Sequence, residues 1–129
     1  MVLDASAIVA IIQEEPGAEE LVRRIDQAEI VVVGAPTLLE AGLVLTPRLR
    51  RDPRSVLAGF LRGSEAEVIP FTEEHYLVAL AAFNRYGKGR HPAALNLGDC
   101  LTYAVARVAG MPLLFTGEDF SKTDIPRAK

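Results

Sequence analysis

Short apolar segments alternate with longer amphipathic segments along the chain. Runs of apolar and β-branched residues predict buried strands at Met1–Leu3, Ile30–Val33, Val68–Ile69 and Leu113–Phe115, with a last short one near Ile125. Helices are predicted at Ala5–Gln13, Ala18–Ala28, Pro36 to about Leu45, Pro53–Leu61, Glu73–Tyr86 and Leu97–Ala109. Strands and helices in alternation predict an α/β fold with a central, mostly parallel sheet and helices on both faces.

Proline, glycine and threonine residues mark the predicted helix ends. Pro16 is placed to open the second helix, and Pro47 is expected to lie beyond the third, because proline inside a helix removes a backbone hydrogen bond. Thr72 is suited to cap the fifth helix, and Gly110 to end the sixth. The glycine-containing stretch Tyr86–Leu95 is predicted to be a loop.

The length of 129 residues suits one domain, 1–129, and half of the residues are apolar, enough for a sizeable core. The net charge of -3 argues against a general polyanion binder, so nucleic-acid binding would need a local basic patch or bound cations. The single cysteine, Cys100, cannot form an internal disulfide and fits a reducing cytoplasm. Neither a signal peptide nor an apolar run of the roughly 18 residues that a span requires is apparent, so a cytoplasmic protein without a membrane segment is expected.

Four acidic residues differ from the solvated acids elsewhere. Asp4 directly follows the first strand, Glu40 lies on an apolar stretch of helix, Asp99 begins the uncharged sixth helix, and Asp119 follows the fourth strand. Ligands of parallel sheets collect beyond the carboxyl ends of the strands. Each acid also has an ordinary alternative: Asp4 and Asp99 could cap helices, and Glu40 could reach water at an edge.

Taken together, the four acids indicate a cation site. In one pocket they would repel each other strongly unless cations lay between them. Ligands that are all oxygen favour a hard cation such as Mg²⁺ or Mn²⁺. The two histidines, His75 and His91, lie far along the chain from these acids and do not make a zinc site.

The combined motifs resemble those of PIN-domain ribonucleases, and VapC-type toxins most of all. The motifs are Val2-Leu3-Asp4-Ala5-Ser6-Ala7, then Glu40, then Asn96-Leu97-Gly98-Asp99-Cys100, then Thr116-Gly117-Glu118-Asp119-Phe120. The resemblance implies a three-layer α/β/α fold. It also implies a magnesium-dependent endoribonuclease, the toxin of a type II toxin–antitoxin system. The expected partners are RNA, a VapB-type antitoxin and a second copy of the chain in a homodimer.

The resemblance also assigns residue roles. Asp4, Glu40 and Asp99 match the core acids that hold one or two Mg²⁺ ions, with Mn²⁺ as a substitute. The fourth acid has two candidates. Many family members place it two residues after the threonine, which is Glu118 here, whereas the Asp-Phe pair of this branch indicates Asp119, which is preferred. Supporting roles are expected for Ser6, Asn96, Thr116 and Glu118.

A basic cluster in the predicted loop before Asp99 could bind RNA phosphates. It consists of Arg85, Lys88, Arg90 and His91. The alternative is a solvated, flexible loop. The second basic stretch, Arg48, Arg50, Arg51 and Arg54, is interpreted as ordinary surface.

Other interpretations of the sequence fit less well. A haloacid-dehalogenase-like phosphatase would need a second aspartate at the position of Ser6, and a response-regulator receiver would have paired acids after its first strand. A non-toxin PIN nuclease or a catalytically silent PIN binding module remains an alternative.

The leucine- and valine-rich stretches Leu38–Leu45 and Val56–Leu61 could present an association surface for an antitoxin that sends an arginine toward the acids.

Overall fold

A computed structural model describes all 129 residues. The sheet has four parallel strands in the order β3-β2-β1-β4, namely Glu67–Ile69, Val32–Gly34, Val2–Leu3 and Leu113–Leu114. Six helices flank it: α1 Ala5–Ile12, α2 Ala18–Gln27, α3 Ala35–Leu49, α4 Arg54–Ser64, α5 Glu73–Tyr86 and α6 Leu97–Ala109. This architecture confirms the predicted α/β/α fold.

Alternate strand residues face the two helical layers. Val2, Val32 and Leu113 belong to the core under α5 and α6. Their neighbours along each strand pack in the second core with α1, α2 and the inner face of α3: Leu3, Val33 and Leu114. Successive side chains of a strand point to opposite faces of the sheet, so each of these strands contributes to both cores. Both faces are buried, which is why these strands are apolar throughout.

Three boundary predictions were wrong. α3 continues through Pro47 to Leu49, because Leu45 is fully buried and Leu49 packs against the same core, which offsets the backbone bond that Pro47 cannot make. α2 begins at Ala18 as predicted, but Pro16 does not open it, since Gly17, with a positive φ of 92°, is the N-cap. Ile125 is not in a strand; its side chain is buried, and the only pairing near it is an isolated bridge between Leu113 and Arg127.

No helix is both long and apolar enough to cross a membrane.

Candidate active site

The four suspected acids line one cleft at the carboxyl edge of the sheet. The cleft has a volume of about 300 Å³. Its lining comprises Asp4, Ala5, Ser6, Val9, Glu15, Glu40, Val44, Arg48, Asp99, Thr116, Asp119 and Phe120. The parallel strands explain the convergence, because β1, β2 and β4 all end at this edge and the chain enters α1, α3 and the 116–119 segment from there.

Asp4 is held at the start of α1 and has one oxygen to spare. Its backbone N–H bonds Leu114 in β4 at 3.0 Å. Its Oδ2 accepts the Ser6 backbone N–H at 3.1 Å and the Ser6 hydroxyl at 2.6 Å. The expected helix cap is therefore real, yet Oδ1 makes no hydrogen bond within the protein and is available to a ligand.

Ser6 ties together the two strand ends that border the cleft. Its Oγ donates to Asp4 and accepts the Thr116 backbone N–H at 3.1 Å. The segment after β4 is thereby fixed against the start of α1. Ser6 acts here on the position of Asp4 and of the Thr116 segment.

Asp99 repeats the arrangement of Asp4 at the start of α6. Its Oδ2 accepts the Asn96 backbone N–H at 3.1 Å, while Asn96 Oδ1 accepts the Asp99 N–H at 3.0 Å. This reciprocal pair is a capping box. The second carboxylate oxygen, Oδ1, again has no partner in the protein, so Asp99 can cap its helix and bind a ligand at once.

Contacts between α3 and α6 set the position of Glu40 relative to Asp99. Gly34 packs so closely on Val105 that an added Cβ would lie 2.8 Å from its Cγ2. One turn along α3, the buried hydroxyls of Thr37 and Thr102 are 3.1 Å apart.

A further turn along α3, the Glu40 carboxylate rests on Gly98, where a Cβ would lie 2.5 Å from Glu40 Cδ. Gly98 is the residue before Asp99, so this contact puts Glu40 beside that carboxylate. Position 98 therefore has to be free of a side chain if Glu40 is to keep this conformation.

The structure separates the two candidates for the fourth acid. Both residues are exposed, but Asp119 lines the cleft, whereas Glu118 does not and its Oε2 accepts the hydroxyl of Ser121 at 2.9 Å. Phe120 is buried against Phe115, with ring centroids 5.2 Å apart, and anchors the segment that carries Asp119. Of the two acids, Asp119 is the one in the cleft.

Burial and mutual repulsion weaken two of these acids. Desolvation, with the nearby charges of Asp4 and Asp99, raises the pKa of Glu40 to about 7. Desolvation raises the pKa of Asp99 to about 6, and Asp4 and Asp119 add to the rise, although the bond from Asn96 opposes it. Acids with pKa values shifted in this way retain a proton that a cation could replace.

The donor set fits a hard cation. All four carboxylates are oxygen donors, Glu40 and Asp119 make no hydrogen bond within the protein, and Asp4 and Asp99 each have a free oxygen. In their present conformations no three of the acidic, histidine or cysteine side chains are grouped closely enough to hold a metal ion. Repulsion among like charges favours such a spread arrangement, and side-chain rotation would be needed to close it.

The basic loop before Asp99 is ordered and does not line the cleft. His91 Nδ1 accepts the Ala93 N–H at 3.0 Å, and its ring packs edge-on against Tyr86. Arg90 lies over the ring of Phe83, while Lys88 is exposed. An RNA-binding role for Lys88, Arg90 and His91 stays a prediction.

Sequence reasoning missed three features of the cleft, and the first is Glu15, an acid that was grouped with the solvated surface and lines the cleft. Arg48, interpreted as ordinary surface, is among the lining residues. Its spacing of eight residues from Glu40 would have placed both on one helix face, but the helix was expected to end before Pro47. Gly98 was noticed only as part of a motif, and no sequence pattern shows which side chain rests on a glycine.

Comparisons with known proteins agree along nearly the whole chain. The PIN domain family model matches residues 1–126. Ribonuclease VapC36 of Mycobacterium tuberculosis is 43% identical over 126 residues, which cover 97% of this chain and 91% of that protein. Ribonuclease VapC of Mycolicibacterium smegmatis is 38% identical over 125 residues, with 97% of each chain covered. The solved structure of VapC20 from Mycobacterium tuberculosis, described as a sarcin-ricin loop cleaving toxin, superposes with a TM-score of 0.78 at 18% identity and covers 96% of this chain and 95% of its own.

Proposed function

The chain belongs to the PIN-domain family, and on that basis we propose that it is a divalent-metal-dependent endoribonuclease and the toxin of a type II toxin–antitoxin system. Its curated relatives are named VapC ribonucleases, and a solved toxin–antitoxin complex from Klebsiella pneumoniae has a similar fold, with a TM-score of 0.70. The observation that carries the proposal is the cleft in which Asp4, Glu40, Asp99 and Asp119 converge at one sheet edge, with Glu15 as a fifth carboxylate in the lining. A cytoplasmic location follows from an RNA substrate and from the free thiol of Cys100.

We assign the metal to Mg²⁺, with Mn²⁺ as a substitute, because every available donor is an oxygen. Asp4 and Asp99 would bind it through their free Oδ1 atoms, and Glu40 and Asp119 through carboxylates that have no other partner. When bound, the cation supplies Lewis acidity and charge neutralisation for phosphodiester hydrolysis.

The protein's own groups have distinct tasks in that reaction. A water molecule attacks phosphorus, the P–O bond to the leaving sugar oxygen breaks, the leaving oxygen takes up a proton from solvent, and the proton of the attacking water has to be accepted. We assign that proton to the Glu40 carboxylate oxygen that does not bind the cation, because Glu40 makes no hydrogen bond within the protein and its desolvation favours the protonated form. Asp4 and Asp99, clamped at helix starts, keep the site rigid while the charge on the phosphate changes.

Two partners follow from the proposal besides RNA. Leu39 and Leu43 are 64% and 66% exposed on α3, one helical turn apart and next to Glu40. We propose that this surface packs against an antitoxin segment, which sends an arginine toward the acids to compete with metal, and that the free toxin is a homodimer. Size measurement of the chain alone and co-expressed with the product of an adjacent short reading frame tests both. A monomer that binds no such product and is harmless when overexpressed would contradict the toxin role and leave the nuclease role intact.

Cleavage of single-stranded RNA with and without Mg²⁺ is the direct test of the nuclease. Asp99→Asn keeps an oxygen that can accept the Asn96 N–H but removes the charge, so the fold should remain and cleavage should be lost. Chelation of the metal should have the same effect on the wild type. Full activity of Asp99→Asn, or cleavage in a chelator, would reject the proposal and favour a binding module. Release of inorganic phosphate from small phosphoesters would instead favour a phosphatase. The residue at position 6 argues against that class, because a haloacid-dehalogenase-like phosphatase needs an aspartate there and this chain has Ser6, hydrogen-bonded to Asp4.

A further inference from the structure

Arg48 is the only basic residue among those that line the acidic cleft. The remaining arginines of its stretch do not line the cleft, and Arg54 is paired with Asp52 instead. A guanidinium at the rim of this cleft is suited to bind a phosphate that enters it, and its position on α3 shows where that phosphate would lie.

Glu40, Val44 and Arg48 form one stripe along α3, at spacings of four residues, and all three line the cleft. Eight residues of α-helix span about 12 Å, and helical side chains lean toward the N-terminus of their helix. The long side chain of Arg48 therefore leans back along the cleft toward Glu40. The stripe forms one wall, with the acid at one end and the arginine at the other.

The last turn of α3 holds Arg48 firmly in this position. Pro47 restricts the backbone immediately before it, and the Thr46 hydroxyl donates to the Gly42 carbonyl at 2.7 Å. Arg50 closes the helix with a positive φ of 54° and a backbone bond to the Thr46 carbonyl. The backbone under Arg48 is thus set by three neighbouring residues.

The present partner of Arg48 is weak and exchangeable. Its Nη1 lies 3.5 Å from Glu15 Oε1, and the two side chains are 48% and 43% exposed. Exposed ion pairs of this kind contribute between about 0 and 1 kcal/mol. A guanidinium has five N–H donors in a planar fork that matches phosphate, and Glu15 uses only one of them.

We propose that Arg48 binds a backbone phosphate of the RNA strand next to the one being cleaved, and exchanges Glu15 for that phosphate when RNA enters the cleft. This rests on the proposed ribonuclease function and adds to it a group that aligns the strand along α3. An arginine in this place also offsets the negative potential that the acids present to an incoming polyanion.

The test compares Arg48→Ala with Arg51→Ala, an equal loss of charge at an exposed residue just past α3 that does not line the cleft. Binding of a single-stranded RNA oligonucleotide is measured with Ca²⁺ in place of Mg²⁺ at several salt concentrations, with RNA integrity checked on gels. Arg48→Ala should weaken binding about tenfold, as expected for loss of a charged hydrogen bond, and lower the salt slope by about 0.7. Arg51→Ala should leave both near the wild-type values.

Glu15→Gln distinguishes substrate binding from a structural ion pair. It frees Arg48 from its competitor, so RNA binding should be equal to or tighter than that of the wild type. Equal binding by Arg48→Ala and Arg51→Ala, or a loss in Glu15→Gln that matches Arg48→Ala, would overturn the inference. Wild-type protein that neither binds nor cleaves RNA would reject the ribonuclease proposal itself, whereas an active wild type with an unaffected Arg48→Ala would reject only the role of Arg48.

Discussion

Replacing Gly98 with alanine is expected to displace the carboxylate of Glu40. The new Cβ would lie 2.5 Å from Glu40 Cδ, whereas ordinary contacts begin at 3.4 Å. Glu40 Oε2 would overlap the new Cβ still more closely, so the carboxyl group has to move by more than this difference of 0.9 Å. It can do so because it is the end of a flexible side chain. A misplacement of about 1 Å in an active site can cost on the order of 100-fold in rate.

The fold should tolerate the same change. Gly98 is in the first turn of α6 and has no positive φ, so alanine should stabilise the helix by up to about 1 kcal/mol. Gly59→Ala in α4 is a matched control, because the nearest atom to its added Cβ is the end of the Arg62 side chain at 3.8 Å. The assay is kcat/KM on single-stranded RNA with Mg²⁺, together with thermal unfolding of each variant.

Activity should fall about 100-fold in Gly98→Ala and stay near wild type in Gly59→Ala, while both variants unfold at or above the wild-type temperature. Shortening the displaced side chain, by adding Glu40→Asp to Gly98→Ala, should recover part of the rate. Equal activity of the two glycine variants would refute the reasoning, since it would mean that the Glu40 position over Gly98 is not used. A drop in Gly98→Ala accompanied by unfolding would refute the assumption that the clash is confined to Glu40.

Two further predictions concern the same cleft, and a third concerns the buried contact between α3 and α6. The pKa values of Glu40, about 7, and Asp99, about 6, lie above the pKa near 4 of carboxyl groups in an unfolded chain. The folded protein therefore binds more protons than the unfolded chain between these values. Without metal, its free energy of unfolding should fall as the pH rises from about 4 to about 7. Thermal unfolding in a chelator across this range measures the loss, and Glu40→Gln combined with Asp99→Asn should flatten it. Asp119→Asn should impair RNA cleavage strongly and Glu118→Gln little; normal rates in both would leave a site of three acids. Thr37→Val should reduce the free energy of unfolding by about 1 to 3 kcal/mol, because it leaves the buried hydroxyl of Thr102 unpaired. A denaturant titration that finds no loss would contradict this prediction.

The apolar pattern predicted most of the fold because it is a local signal. Helix α6 begins and ends where predicted, since Asn96 and Asp99 cap its start and Gly110, with a positive φ of 65°, ends it. Parallel strands that are connected by helices can be ordered in only a few ways, and their carboxyl ends all lie at one edge of the sheet. The acids that follow β1 and β4 could therefore be expected at that edge. Family membership was likewise confirmed, because motifs in the correct order along the whole chain are specific when taken together.

What could not be predicted depends on contacts between distant parts of the chain. Helix α3 continues past Pro47 because Leu49 packs against the second core, and local helix propensities carry no information about that contact. Arg48, which was interpreted as ordinary surface, lies beyond the helix end that was predicted. The preference for Asp119 over Glu118 rested on resemblance, whereas the choice between these adjacent acids depends on how the segment after β4 folds over the cleft that Asp119 lines.

The double use of Asp4 and Asp99 has a consequence for genetics. Each carboxylate caps a helix through one oxygen and leaves the other free. A selection for harmless alleles should therefore yield two phenotypes at these codons. Asparagine alleles would accumulate as inert protein, whereas alanine or valine alleles lose a cap worth about 1 kcal/mol as well and would be depleted by proteolysis. Steady-state abundance on an immunoblot, rather than growth, would tell the two kinds of allele apart.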